Sequence, residues 1–182
     1  MTDKRKLDQY ADVYVPGPSI DDLYVPNPSI DAYLQAIRID PEDAKAWYGL
    51  GLDYSDLKRY DDAIEAYLQA LRIDPKNADA WDSLGLVYSD LKRYDDAIDA
   101  YRQALRIDPK EAFSLYGLGL VYSDLKRYDD AIEAYLQALR IDPEGVAYVL
   151  SGNRTAALEV IRDLRRLDPA MADRLFNLIE PR

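Results

Sequence analysis

The decapeptide SDLKRYDDAI occurs three times, at Ser55, Ser89 and Ser123, each copy 34 residues after the last. A fixed period of this size constrains the fold more than any other feature of the chain. Each unit must be one supersecondary element that cannot bury its apolar face alone and covers it with its neighbour. The units run 44–77, 78–111 and 112–145, and the first two differ at seven positions. Such near-identity fits recent duplication or consensus design.

Each unit reads as two helices. In the first half, Trp47, Leu50, Gly51, Tyr54 and Leu57 fall at unit positions 4, 7, 8, 11 and 14, an apolar stripe at helical spacing. Ala63, Tyr67, Ala70 and Leu71 repeat the stripe in the second half. Asp61 and Asp62 sit where the N-terminal turn of a helix favours negative charge. Ile-Asp-Pro then ends the second helix, because proline disfavours α geometry in the residue before it. Glycine and alanine let the paired helices approach closely, and Trp or Tyr fills the space from the other side.

The residues Trp47, Leu50, Gly51, Tyr54, Ala63, Tyr67, Ala70 and Pro75 fit the pattern W-x2-L-G-x2-Y, then A-x3-F/Y, A and P. Trp81, Leu84, Gly85, Tyr88, Ala97, Tyr101, Ala104 and Pro109 fit it again, and the third unit departs at Leu115, where Trp is usual. The chain thereby resembles the tetratricopeptide repeat. The resemblance covers 44–145 fully and the flanks in part. It implies an all-α, right-handed solenoid of antiparallel helix pairs, with the first helices lining a concave side.

Stepping the period back places 10–43 as a degenerate repeat. Pro16 and Pro18 fall at unit positions 7 and 9, where each costs a helix about 3 kcal/mol. Residues 1–27 are therefore expected as an extended, proline-rich arm. Residues 28–43 are expected as a second helix without its partner, with Asn27 as N-cap, Pro28 at N1, and Ile30, Tyr33 and Ile37 poorly covered. At the other end the Asp-Pro pairs at 142 and 168 are eight residues short of a full period. Residues 146–182 are read as a truncated repeat plus a capping helix at 170–179, with Ala170, Met171, Leu175, Phe176 and Ile179 inward.

Composition limits the chemistry. There is no histidine and no cysteine, which removes disulfides, thiolate metal sites and the commonest nucleophile–base schemes. The acidic pairs recur three times at helix starts, unlike a catalytic pair, whose two environments differ. No phosphate-cradling glycine loop is present. No enzyme activity, metal or cofactor is expected. A net charge of -11 argues against nucleic acid or an anionic membrane as partner. The first residues lack the apolar core of a secretory signal, and no run spans a membrane, so a cytoplasmic protein is expected.

The candidate site comes from unit positions 5, 9, 12 and 13, with position 2, which point away from the core stripe; the resemblance implies that they line the groove. They are Tyr48, Leu52, Ser55 and Asp56 in the first unit, Asp82, Leu86, Ser89 and Asp90 in the second, and Phe113, Tyr116, Leu120, Ser123 and Asp124 in the third. The leucine row reads as an apolar patch, or as side chains buried between neighbouring first helices. The Asp row opposes the helix dipole, an effect that Lys58 and Arg59 and their repeats can offset. Some family members hold chaperone C-terminal carboxylates with Lys at position 5 and Asn at position 9; neither residue stands there, so a clamp adaptor for heat-shock chaperones is not expected. The sequence thus points to a protein- or peptide-binding scaffold with a tyrosine-rich apolar groove and an acidic edge. Tyr14, Val15, Pro16, Leu23, Tyr24 and Val25 of the arm are a candidate self-ligand, docking on the same chain or on a neighbour as a route to oligomers. The alternative is a structural repeat protein that assembles through its ends.

Overall fold

The computed structural model describes residues 28–146 and 154–179, and every element in them is helical. The helices are α1 (Pro28–Ile39), α2 (Ala44–Asp56), α3 (Tyr60–Ile73), α4 (Ala78–Asp90), α5 (Tyr94–Ile107), α6 (Ala112–Asp124), α7 (Tyr128–Ile141), α8 (Arg154–Leu167) and α9 (Pro169–Ile179). Residues 143–146 are helical as well. The 34-residue units therefore hold one helix pair each. The arm, including Tyr14, Val15, Pro16, Leu23, Tyr24 and Val25, lies outside the described residues.

The chain divides into two compact units, residues 1–87 and 88–182. In the first, α1 packs on α2 and α2 on α3. In the second, consecutive helices from α5 to α9 pack in order. Most of the expected stripe is buried: Leu50, Tyr54, Ala63, Tyr67, Ala70 and Leu71 in the first unit, and Ala131, Tyr135, Ala138 and Leu139 in the second. Its two ends are not: Trp47 is half-buried, and Leu57, expected inward, is exposed like its repeats Leu91 and Leu125, because unit position 14 falls in the turn after the first helix, beyond the reach of the paired helix.

Glycine sets the helix spacing. A Cβ on Gly51 would run into the ring of Tyr67, and one on Gly119 into the ring of Tyr135. Each tyrosine thus occupies space that any side chain would claim, and interiors have no slack to absorb it. Tyr33 sits against Gly49 in the same manner. This contact gives α1 cover despite its degenerate partner: Ile30 is buried and Tyr33 and Ile37 are half-buried.

Two kinds of turn alternate. Within a pair, Lys58 adopts a left-handed conformation with φ 58°, and Lys92 and Lys126 do the same at 59° and 60°. The Lys58 N–H donates to the Ser55 carbonyl and the Arg59 N–H to the Tyr54 carbonyl, both at 2.8 Å. This is a Schellman closure with lysine where glycine is usual. Between pairs, the Asp of Ile-Asp-Pro accepts from the N–H two residues on: Asp40 from Glu42, Asp74 from Lys76 and Asp108 from Lys110. A separate cap then starts the next helix: Asp43 accepts from Lys45 and Ala46, Asn77 from Ala80, and Glu111 from Phe113.

The last turn changes that arrangement. Asp142 accepts from the Gly145 N–H at 2.8 Å, an N-cap geometry, so the chain becomes helical at 143 without a linker. This removes the spacer of the regular units and accounts for part of the shortened period. Among the described side chains of α9, Ala172 and Leu175 are buried, while Met171 and Ile179, also expected inward, lie outside the described side chains. Phe176, expected inward, is 37% exposed, and Ala170 is exposed too. Phe176 lies about 100° around the helix from Leu175, at the open edge of the contact with α8.

Candidate functional site

The first helices carry the candidate positions, and Trp side chains help to fix them. Trp47 Nε1 donates to the Pro41 carbonyl at 3.0 Å, and Trp81 Nε1 to the Pro75 carbonyl at 3.2 Å. Each tryptophan ties its helix to the turn before it, and also supplies bulk.

In the first compact unit, Leu52 is 39% and Leu86 52% exposed. Both project from first helices, α2 and α4, at the same position of the period. Tyr48 is half-buried; its ring lies 5.9 Å from that of Tyr67, and its hydroxyl is 3.4 Å from Ser83 Oγ. Burial pushes the Tyr48 hydroxyl pKa up, the Ser83 hydrogen bond opposes that, and Asp79 and Asp82 add to it. Ser55 and Asp82 are half-buried, and Asp56 is exposed.

In the second unit, Phe113 is 44% exposed, but Leu120 is half-buried and Tyr116 is buried. The Tyr116 ring sits 5.9 Å from Tyr135 at 44°. Desolvation pushes its hydroxyl up to about 12. Tyr116 therefore belongs to the core more than to an open wall. Ser89 and Ser123 are half-buried, and Asp90 and Asp124 are exposed.

The arginines that follow the Asp row reach forward to the next helix. Arg59 Nε lies 2.7 Å from Asp62, Arg93 Nε 2.8 Å from Asp96, and an Arg127 guanidinium nitrogen 2.7 Å from Asp130. Each guanidinium also sits 4.5 Å over a tyrosine ring, that of Tyr54, Tyr88 or Tyr122. The arginines thus clasp the turn to the start of the second helix. Asp124 accepts from the Tyr94 hydroxyl at 3.0 Å, linking one repeat to the next. The period alone does not show these bonds, although the invariance of SDLKRYDDAI within the chain marks where they form.

No helix among the described residues is long and apolar enough to cross a membrane.

A family model described as the cilia and flagella-associated protein 70 C-terminal domain matches residues 25–172. No curated protein matches the sequence. Among solved structures, a crystal structure of MamA is similar with 27% identity and a TM-score of 0.64, covering 82% of each chain. A MamA RS-1 double mutant matches at 22% identity and TM-score 0.65, over 82% of this chain and 80% of that one. The Arabidopsis OM64 TPR domain matches at 21% identity and TM-score 0.59, over 69% of this chain and 98% of that one. The last two likenesses speak to the fold alone.

Proposed function

We propose, from the premise that this chain belongs to the tetratricopeptide-repeat family of the cilia and flagella-associated protein 70 C-terminal domain, that it is a non-enzymatic scaffold binding an extended apolar peptide on its first helices. A protein-interaction scaffold is the general function of this fold. The finer reading rests on one observation: Leu52 and Leu86, one period apart, are both left open to solvent. Large apolar side chains in a repeated exposed position lower the free energy of any ligand that covers them, by about 1 kcal/mol each here, since about half of each leucine is already covered. Half-buried Tyr48 and the exposed carboxylate of Asp56 supply the aromatic wall and the acidic edge. The arm residues 14–25 remain the candidate self-ligand, and assembly through the ends the competing role.

The test is peptide-library selection on the intact chain and on a chain lacking residues 1–25. A selected apolar peptide should bind at least tenfold more weakly to Leu86→Asp, with little dependence on salt, because burial drives it. Deletion of the arm should raise its affinity. A chain that selects no peptide but grows in mass with concentration would replace this reading with the assembler.

A further inference from the structure

Helix α8 opens a second surface that the groove does not use. Leu158, Ile161, Arg162 and Arg165 recur at i, i+3, i+4 and i+7, so they share one face. Together with Arg166 and Phe176 of α9 they line an open pocket of about 380 Å³. Ile161 is buried and forms its floor, while Leu158 at 46% and Phe176 at 37% exposure stand at the surface. Arg165 Nη2 meets Asp173 at 3.1 Å, which anchors the pocket across the α8–α9 hairpin.

The charge of this pocket runs against that of the chain. Residues 44–145 carry 13 basic and 20 acidic side chains and residues 154–179 carry five basic and four acidic, whereas the six lining residues include three arginines, one of them paired with Asp173, and no acid. Arg165 and Arg166 lie in the last turn of α8, where the helix dipole favours cations. That accounts for Arg165 and Arg166 but not for Arg162, nor for the exposed leucine and phenylalanine beside them. Guanidinium groups bind carboxylates through paired, planar hydrogen bonds, and an apolar floor beside them accepts a leucine or aromatic side chain.

We infer that the α8–α9 pocket docks an acidic peptide of another protein, one that places a leucine or aromatic residue among several carboxylates. Charge complementarity selects this occupant. The arginines attract the carboxylates, while the acidic repeats repel the same peptide from the groove.

The probe is a fluorescein-labelled octapeptide, Glu-Glu-Asp-Leu-Trp-Asp-Glu-Glu, titrated by anisotropy with the full chain. Saturable binding is expected, weakened at least tenfold in the Arg162→Glu, Arg166→Glu double variant and several-fold in Phe176→Ala. Replacing Leu-Trp of the probe by Ser-Ser should cost a further tenfold, and Leu86→Asp should change nothing. Should the double charge reversal lower the thermal midpoint, Arg162→Gln with Arg166→Gln must still weaken binding several-fold in a folded chain. Absence of binding, or binding indifferent to the arginines, overturns the inference. Equal binding of the Ser-Ser probe overturns it too, since that is polyanion attraction without a pocket. Displacement by a peptide of residues 18–25 of this chain, with dimerisation in sedimentation, would assign the pocket to a second copy instead.

Discussion

Helices α2 and α6 occupy the same place in the period, yet they present different surfaces. On α2, Tyr48 is half-buried and Leu52 open; on α6, Tyr116 is buried, Leu120 half-buried and the open residue is Phe113. Both helices face their partner identically: Gly51 meets Tyr67 and Gly119 meets Tyr135, with tyrosine pairs 5.9 Å apart in each. The shared part is the intra-pair seat, written into the repeated residues. The part that differs depends on what packs along the other side. A repeat thus fixes its own pair far more tightly than its exposed face.

The largest effect should fall on the shared seat. Tyr67→Ala and Tyr135→Ala should each cost about 3–5 kcal/mol of unfolding free energy in urea titration, in line with aromatic truncation in cores. If one costs under about 1 kcal/mol, the two seats are not equivalent and the comparison fails.

The next effect separates the two helices by pH. The Tyr116 hydroxyl is raised to about 12 by burial, against about 10 in the unfolded chain. A group raised in the folded state favours its protonated form there. The stability it confers is fully present below pH about 10 and is lost as pH rises from there through about 12. Tyr116→Phe should remove this part of the alkaline loss, of the order of 2 kcal/mol, in urea titrations between pH 9 and 12. Tyr48, also raised but half-buried, should give the smaller change on Tyr48→Phe. Equal changes would mean that the two rings share one environment.

A smaller effect tests the turns that close both pairs. Lysine in the left-handed region costs about 1–2 kcal/mol, which glycine avoids. Lys58→Gly and Lys126→Gly should each raise stability by about 1 kcal/mol, read as a shift in urea midpoint. A loss would show that the lysine side chains contribute contacts beyond the backbone turn.

The smallest effect concerns Leu52. Leu52→Asp should change folding by no more than about 0.5 kcal/mol, as surface substitutions do, while Leu120→Asp, half-buried, should cost clearly more. A Leu52 variant that unfolds would move that leucine from the candidate groove into the core.

The sequence alone determined the helix pairs and most of the inward stripe, because period and turn chemistry are local; Leu57, which the period placed inward, is exposed. Pro75 and Pro109 end helices wherever they stand, and Gly51 with Tyr67 specifies a close approach whatever lies outside. It also marked the ends as irregular. What it left open was how far each outward residue is covered, since that depends on neighbours far along the chain. Tertiary structure decided that Tyr116 is buried while Tyr48 is only half so, although both are the fifth residue of a unit. It turned Arg59, Arg93 and Arg127 toward Asp62, Asp96 and Asp130 and over tyrosine rings, bonds that the charge pattern alone did not show. It also left Phe176 outside the core. Helical periodicity gives each side chain a direction, but only the packed neighbour fixes how much of that direction is closed to water.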